Sequence, residues 1–194
     1  MADIFNCDQK TDEELIELTL KNQDYFVCIM QRYQARLLKY IQRISNISWQ
    51  EGEDILQEVF IKIYRNLNDF DHQYKFSAWI YRIARNETIS NFRKSHAKTK
   101  GLLLDIDDEI FERLAADLDI EKNFRDKEAC EAIKNVLKKL NKKYQEVIML
   151  RFFEDRNYQE ISYILKKPAG TIATWLNRAK KKLRTELNKE NINL

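Results

Sequence analysis

The side chains with the most chemistry to offer lie near the C-terminus. Asn177 and Arg178 follow Lys166-Lys167-Pro168-Ala169-Gly170, a turn that holds the chain's one Pro and one of its three Gly. Asn can make paired hydrogen bonds to adenine and Arg to guanine, each pair giving about 1–3 kcal/mol of base discrimination. Lys180, Lys181 and Lys182 come next and suit phosphates. Ile172, Leu176, Ala179 and Leu183 recur at helical spacing, so one side of this segment packs while Ala173, Thr174, Asn177, Arg178, Lys181 and Arg184 lie on other faces. A short helix capped by Asn157, a Gly-bearing turn and a longer basic helix from about Thr171 are the parts of a helix-turn-helix. A lysine run alone would fit a solvated face; joined to that turn it points to DNA.

Little else in the chain suggests chemistry. His72 and His96 stand outside any catalytic spacing, and neither a Gly-rich phosphate loop nor HExxH is present, so we expect no enzyme and no cofactor. Cys7, Cys28 and Cys130 are far apart, without CxxC or Cys/His clustering. They imply no metal site and read as reduced thiols of a cytoplasmic protein. No apolar run approaches the roughly 18 residues of a membrane span, and residues 1–10 lack a signal-peptide pattern, so the expectation is a cytoplasmic protein with no membrane insertion.

The net charge of +3 hides a division along the chain. Residues 1–100 carry 15 basic and 14 acidic side chains, residues 101–128 carry 4 and 10, and the remainder 15 and 7. An acidic segment containing Asp105, Asp107, Asp108 and Glu109 therefore separates a neutral part from a basic one. With three Gly and one Pro, a sheet-rich fold would be short of turn residues. Hydrophobic residues make up 44% of the chain, enough for packed cores despite 34% charged residues. The expected fold is all-α: two small helical domains joined by an acidic linker, the C-terminal domain being the helix-turn-helix.

Helical spacing supports this. Thr11 and Ser48 each stand three residues before a Glu, the capping box of a helix start. Phe26, Ile29, Met30, Tyr33, Leu37, Ile41 and Ile44 outline the buried side of a helix ending near Ser45, and Ile55, Leu56, Val59, Phe60, Ile63, Tyr64 and Leu67 that of the next. Residues 68–76 have no period and read as a loop, after which Ser77 can cap a helix through Trp79, Ile80, Ile83, Ile89 and Phe92. The basic cluster Arg93, Lys94, His96, Lys98 and Lys100 ends this domain at about residue 98. Residues 99–126 form the acidic linker, whose apolar residues at 102–104 and 110–118 are able to dock, and residues 127–194 the second domain.

Two sets of motifs together resemble one family. Glu146-Val147-Ile148-Met149-Leu150-Arg151, Tyr158-Gln159-Glu160-Ile161, Gly170-Thr171-Ile172 and Arg178-Ala179-Lys180 resemble the fourth conserved region of extracytoplasmic-function (ECF) sigma factors. Glu53-Asp54-Ile55-Leu56-Gln57-Glu58-Val59-Phe60 and Phe76-Ser77-Ala78-Trp79-Ile80-Tyr81-Arg82-Ile83-Ala84-Arg85-Asn86 resemble their second region. The resemblance implies a subunit that binds core RNA polymerase, through its beta-prime clamp helices and beta flap, and directs promoter-specific initiation. It also implies promoter DNA and an anti-sigma factor as partners.

Site roles follow from the same resemblance. Asp54, Gln57 and Glu58 would bind the polymerase clamp. Phe70 and Lys75 of the loop, with Arg85, Asn86 and Ser90 after it, would bind the minus-ten strand, where unpaired bases stack on aromatic rings. Arg151, Thr171, Ala173, Thr174, Asn177, Arg178 and Lys181 would bind the minus-thirty-five element. The acidic linker would thread near the RNA path or serve only as a spacer. The chain departs from the family's usual pattern at Ala173-Thr174-Trp175, at Ser90 where Asp is frequent, and at Asn141 where Pro is usual. A rival reading is a self-sufficient helix-turn-helix repressor or activator.

Overall fold

Each capping box closes on both of its hydrogen bonds. The Glu14 N–H donates to Thr11 Oγ1 and the Thr11 N–H to Glu14 Oε2. Ser48 with Glu51, and Asn157 with Glu160, repeat the arrangement. Two side chains thereby satisfy backbone N–H groups that a helix start leaves without partners. The computed structural model describes residues 5–95, 108–118 and 127–189, and among these every regular element is helical. His96, Lys98, Lys100 and the apolar residues at 102–104 lie outside the described residues.

The chain divides into two units, residues 1–100 and 101–194. The first contains α1 (Asp12–Lys21), α2 (Phe26–Ser45), α3 (Trp49–Arg65) and α4 (Phe76–Ser95). Its core is built from Leu15, Ile29, Leu37, Ile41, Val59, Ile63, Ile80 and Ala84, all fully or almost fully buried. Gly52 lies where α3 crosses α2: a Cβ there would stand 3.0 Å from Leu38 Cδ1. The sequence reading caps α4 with Ser77; the structure starts the helix earlier, at Phe76, so Ser77 lies inside its first turn and the Lys75 carbonyl accepts from the Trp79 N–H at 3.2 Å. The buried Glu87 of α4 pairs with Lys62 of α3, giving a desolvated carboxylate its counter-charge.

One sequence expectation is corrected here. Cys7 and Cys28, read as reduced thiols, form a disulfide with Cα atoms 5.2 Å apart, within the usual range for such a bond. The bridge spans 21 residues of sequence, joining the turn before α1 to the first turn of α2, so spacing alone gave no sign of it. Arg32 reinforces the same corner, donating to Asp12 Oδ1 at 2.8 Å and to the Cys7 and Lys10 carbonyls at 2.8 and 2.6 Å.

The second unit contains α5 (Asp108–Leu118), α6 (Lys127–Lys139), α7 (Lys142–Ile148), a π-helical turn at Met149–Phe153, α8 (Tyr158–Leu165) and α9 (Ala169–Lys189). Asn141 caps α7, accepting from the Lys143 N–H at 3.2 Å, which is a local reason for Asn at a position where the family usually has Pro. Gln145 donates to the Leu137 and Lys138 carbonyls at the end of α6. Helix α5 falls inside the acidic segment that the sequence reading treats as linker. Its Ile110, Phe111 and Leu114 are buried, and it packs on the π-helical turn. Arg113 donates to the Phe152 carbonyl at 3.3 Å, and Asp117 pairs with Lys180 at 2.8 Å. Residues 108–118 are thus a docked helix, while residues 119–126 lie outside the described residues.

Candidate functional site

Asp54, Gln57 and Glu58 are all exposed and lie one turn apart on α3, so they form one row with the exposed Ile61. Beside that row runs an apolar groove of about 600 Å³ between α2 and α3, lined by Phe26, Met30, Leu56, Phe60, Ile61 and Tyr64. The sequence reading puts Met30 and Tyr64 on buried faces, yet they are 37% and 43% exposed. Helical spacing brings them to the edge of the apolar stripe, but whether a neighbour covers them depends on tertiary packing. An acidic and amide row beside an apolar groove is suited to a helical partner.

The loop at residues 68–76 is held by its own aromatics. Phe70 is 6% exposed, its ring 5.2 Å from Phe76, 5.5 Å from Trp79 and 5.0 Å from His72. Phe70 therefore floors the loop, and the ring that the loop leaves most open is Tyr74, 45% exposed. The Asp71 side chain accepts from the Gln73 N–H at 3.0 Å, turning the chain back towards α4. Trp79 is buried, as its helical spacing suggests. Lys75 is exposed at the mouth of α4, followed by half-exposed Arg85, exposed Asn86 and half-exposed Ser90. Arg82, Asn86, Ser90 and Arg93 recur at three- and four-residue steps, making one polar and basic face of α4.

In the second unit α8 ends at Lys166, whose φ of 53° supplies the left-handed residue of the turn. The Gly-bearing turn of the sequence reading differs here. Gly170 belongs to α9, and a Cβ on it would meet nothing within 4 Å. Pro168 needs no N–H at the helix entry, and its carbonyl accepts from Thr171 and Ile172. Ile172, Leu176, Ala179, Leu183 and Leu187 are buried. Thr174, Asn177, Arg178 and Lys181 are exposed one turn apart, so α9 presents them as a single row. Ala173 and Thr171 are half-buried beside it.

Trp175 stands on the flank of α9, near Lys143 Nζ at 5.6 Å from its ring centre, and Lys182 Nζ lies 5.5 Å from the Tyr144 ring. Arg151 is half-buried and donates to the Arg156 carbonyl at 3.3 Å, bracing the turn before α8. Further along α9, a hydrogen bond from Lys189 holds the Glu186 carboxyl below the usual carboxylate range, so an anion marks the end of the basic row. Among the described residues no cluster of His, Cys, Asp or Glu is placed to hold a metal, and no helix is long and apolar enough to cross a membrane.

Comparison with known proteins finds relatives for both units. Sigma-70 region 2 matches residues 29–98, and sigma-70 region 4 matches residues 130–183. The ECF RNA polymerase sigma factor SigW of Bacillus subtilis (strain 168) is 34% identical over 177 residues, spanning 86% of this chain and 90% of its own. Among solved structures, CnrH in complex with the cytosolic domain of CnrY aligns with a TM-score of 0.61 at 21% identity, over 90% of this chain and 96% of that one. The sigma factor RpoE of Bartonella quintana, in complex with the anti-sigma factor NepR, aligns with a TM-score of 0.57 at 19% identity, over 82% and 96%. With both regions matched in order and a relative similar along nearly the whole chain, the protein belongs to the sigma-70 family, among its ECF sigma factors.

Proposed function

We propose that the two units divide promoter recognition between them. As a sigma factor the protein binds core RNA polymerase, directs promoter-specific initiation and catalyses no reaction itself. Residues 1–98 dock on the polymerase through Asp54, Gln57, Glu58 and the groove beside them, and hold the minus-ten strand with the loop and α4. Residues 127–194 hold the minus-thirty-five duplex with the exposed row of α9, α5 braces that unit, and the chain between residue 98 and α5 connects the two.

The observation that carries this reading is the α3 row beside an apolar groove, in the same unit as an aromatic-floored loop. A stand-alone operator binder needs only the second unit. In the minus-ten role Phe70 supports the loop from beneath, and the exposed residues Tyr74 and His72 stand where an unpaired base would stack. Binding flipped bases better than paired ones offsets an unstacking cost of a few kcal/mol per base. The likeness to a sigma factor solved with an anti-sigma factor supports such a partner here, covering the α2–α3 groove in the cytoplasm until released. Charge reversal, Asp54→Lys with Glu58→Lys, tests the docking role. Loss of core polymerase in co-purification with an unchanged circular dichroism spectrum is expected, and retained association would contradict it.

A further inference from the structure

Neither cysteine lines the α2–α3 groove, but the bond between them is anchored in the turn of α2 that carries groove residues. Cys28 sits in the first turn of α2, between Phe26 and Met30, both of which line the groove. Cys7 belongs to the short turn at Cys7–Gln9. Phe5, two residues before that turn, lays its ring edge-on against Tyr25 at 4.8 Å. Tyr25 caps α2, and Gln23 beside it accepts from the Tyr64 hydroxyl at 3.3 Å across the groove mouth. The disulfide therefore fastens the N-terminal segment to the end of the groove that Phe26 and Tyr64 form, their rings 5.1 Å apart.

We propose that Cys7 and Cys28 are a reversible redox modification site, a thiol–disulfide clasp that sets the rigidity of the groove's end. Protein disulfides in a reducing compartment are usually transient and redox-sensing, not permanent staples. The oxidant class is a hydroperoxide. Cys7, the less buried of the two in the bonded form at 9% against 1%, is the sulfur that a peroxide reaches first, and once deprotonated it attacks the peroxide oxygen. The O–O bond breaks, an alcohol or water leaves, and a sulfenic acid forms. The Cys28 thiolate then attacks the Cys7 sulfur, forming the S–S bond and breaking the S–O bond as water departs. In sum two thiols and one hydroperoxide give a disulfide, one alcohol and one water. A dithiol reductant reverses this, its own two thiols becoming a disulfide.

Reduction leaves α1 in place, because Arg32 still holds Asp12 and the Cys7 and Lys10 carbonyls. What loosens is the segment before Cys7 and with it the Phe5–Tyr25 contact. Oxidation pre-organises the groove end, and a helical partner that docks there binds the oxidised chain several-fold more tightly. This coupling rests on the polymerase-docking reading of the groove; the redox chemistry does not.

The test uses the full chain, treated with hydrogen peroxide or with a dithiol, then unfolded and alkylated. Three adducts are expected on the reduced chain and one, on Cys130, after peroxide. Tying a loop of this length should raise the Tm of the N-terminal unit by about 10 °C or more. Cys130→Ser should keep the response, and Cys7→Ser and Cys28→Ser should each abolish it. Three adducts after peroxide, or an unchanged Tm, would overturn the clasp. Core polymerase affinity is then compared between the two forms. Equal affinity would overturn the coupling, whereas no binding by either form would sink the docking reading and leave the adduct count standing.

Discussion

At the scale of single residues, the proposed function rests on a few exposed side chains set on well-packed helices. Asn177 and Arg178 sit one turn after Ala173 and Thr174 on a helix whose opposite side is buried to the last leucine. Replacing either by Ala should lower promoter-specific transcription by about tenfold or more, as the loss of a paired base contact of roughly 1–3 kcal/mol would. Lys181 is placed for a phosphate, and its loss should weaken all duplexes alike. Lys181→Ala should reduce the slope of log affinity against log salt by about one, and an unchanged slope would remove it from the interface. Gly170 separates two demands on the same position. Its added Cβ meets nothing in the protein, so Gly170→Ala should raise C-terminal stability by about 0.5–1 kcal/mol in thermal melts. If DNA approaches the entry of α9 closely, the same change weakens duplex binding, and a variant both more stable and equally tight would place the backbone contact elsewhere.

At the scale of elements, local chemistry was readable and long-range chemistry was not. Thr11, Ser48 and Asn157 announce their helices because a capping box is closed within four residues. The row at Asp54, Gln57 and Glu58 was named by the family resemblance, and its three- and four-residue spacing on α3 is what puts it on one face. The exposure of Met30 and Tyr64, the burial of Phe70 and the Cys7–Cys28 bond depend on what another segment brings near, which spacing does not encode. Helix α5 shows the difference most plainly. Its acidic composition suggests a tether, yet Ile110, Phe111 and Leu114 pack and Arg113 and Asp117 bond within the C-terminal unit. Leu114, fully buried, should cost that unit about 2–5 kcal/mol when changed to Ala, seen as a lowered C-terminal melting transition. A tether would melt unchanged.

At the scale of the molecule, the two units differ little in net charge, residues 1–100 carrying 15 basic and 14 acidic side chains and residues 101–194 carrying 19 and 17, but each gathers charge locally, acids on one row of α3 and bases on one row of α9. The charges are divided by task. In the proposed division, the exposed acidic side chains on α3 would meet a protein partner, and the exposed basic row of α9 a duplex whose counterions it would displace. Neither surface alone would select a promoter; linked on one chain, each raises the effective concentration of the other at its target. The most direct measurement is run-off transcription on fragmented genomic DNA with purified core RNA polymerase, with and without this chain. A small set of discrete transcripts that require the chain, and that vanish with Asp54→Lys plus Glu58→Lys or with Asn177→Ala plus Arg178→Ala, is the expected result. Transcripts that do not change on adding the chain, alongside tight operator binding by the isolated protein, would contradict it.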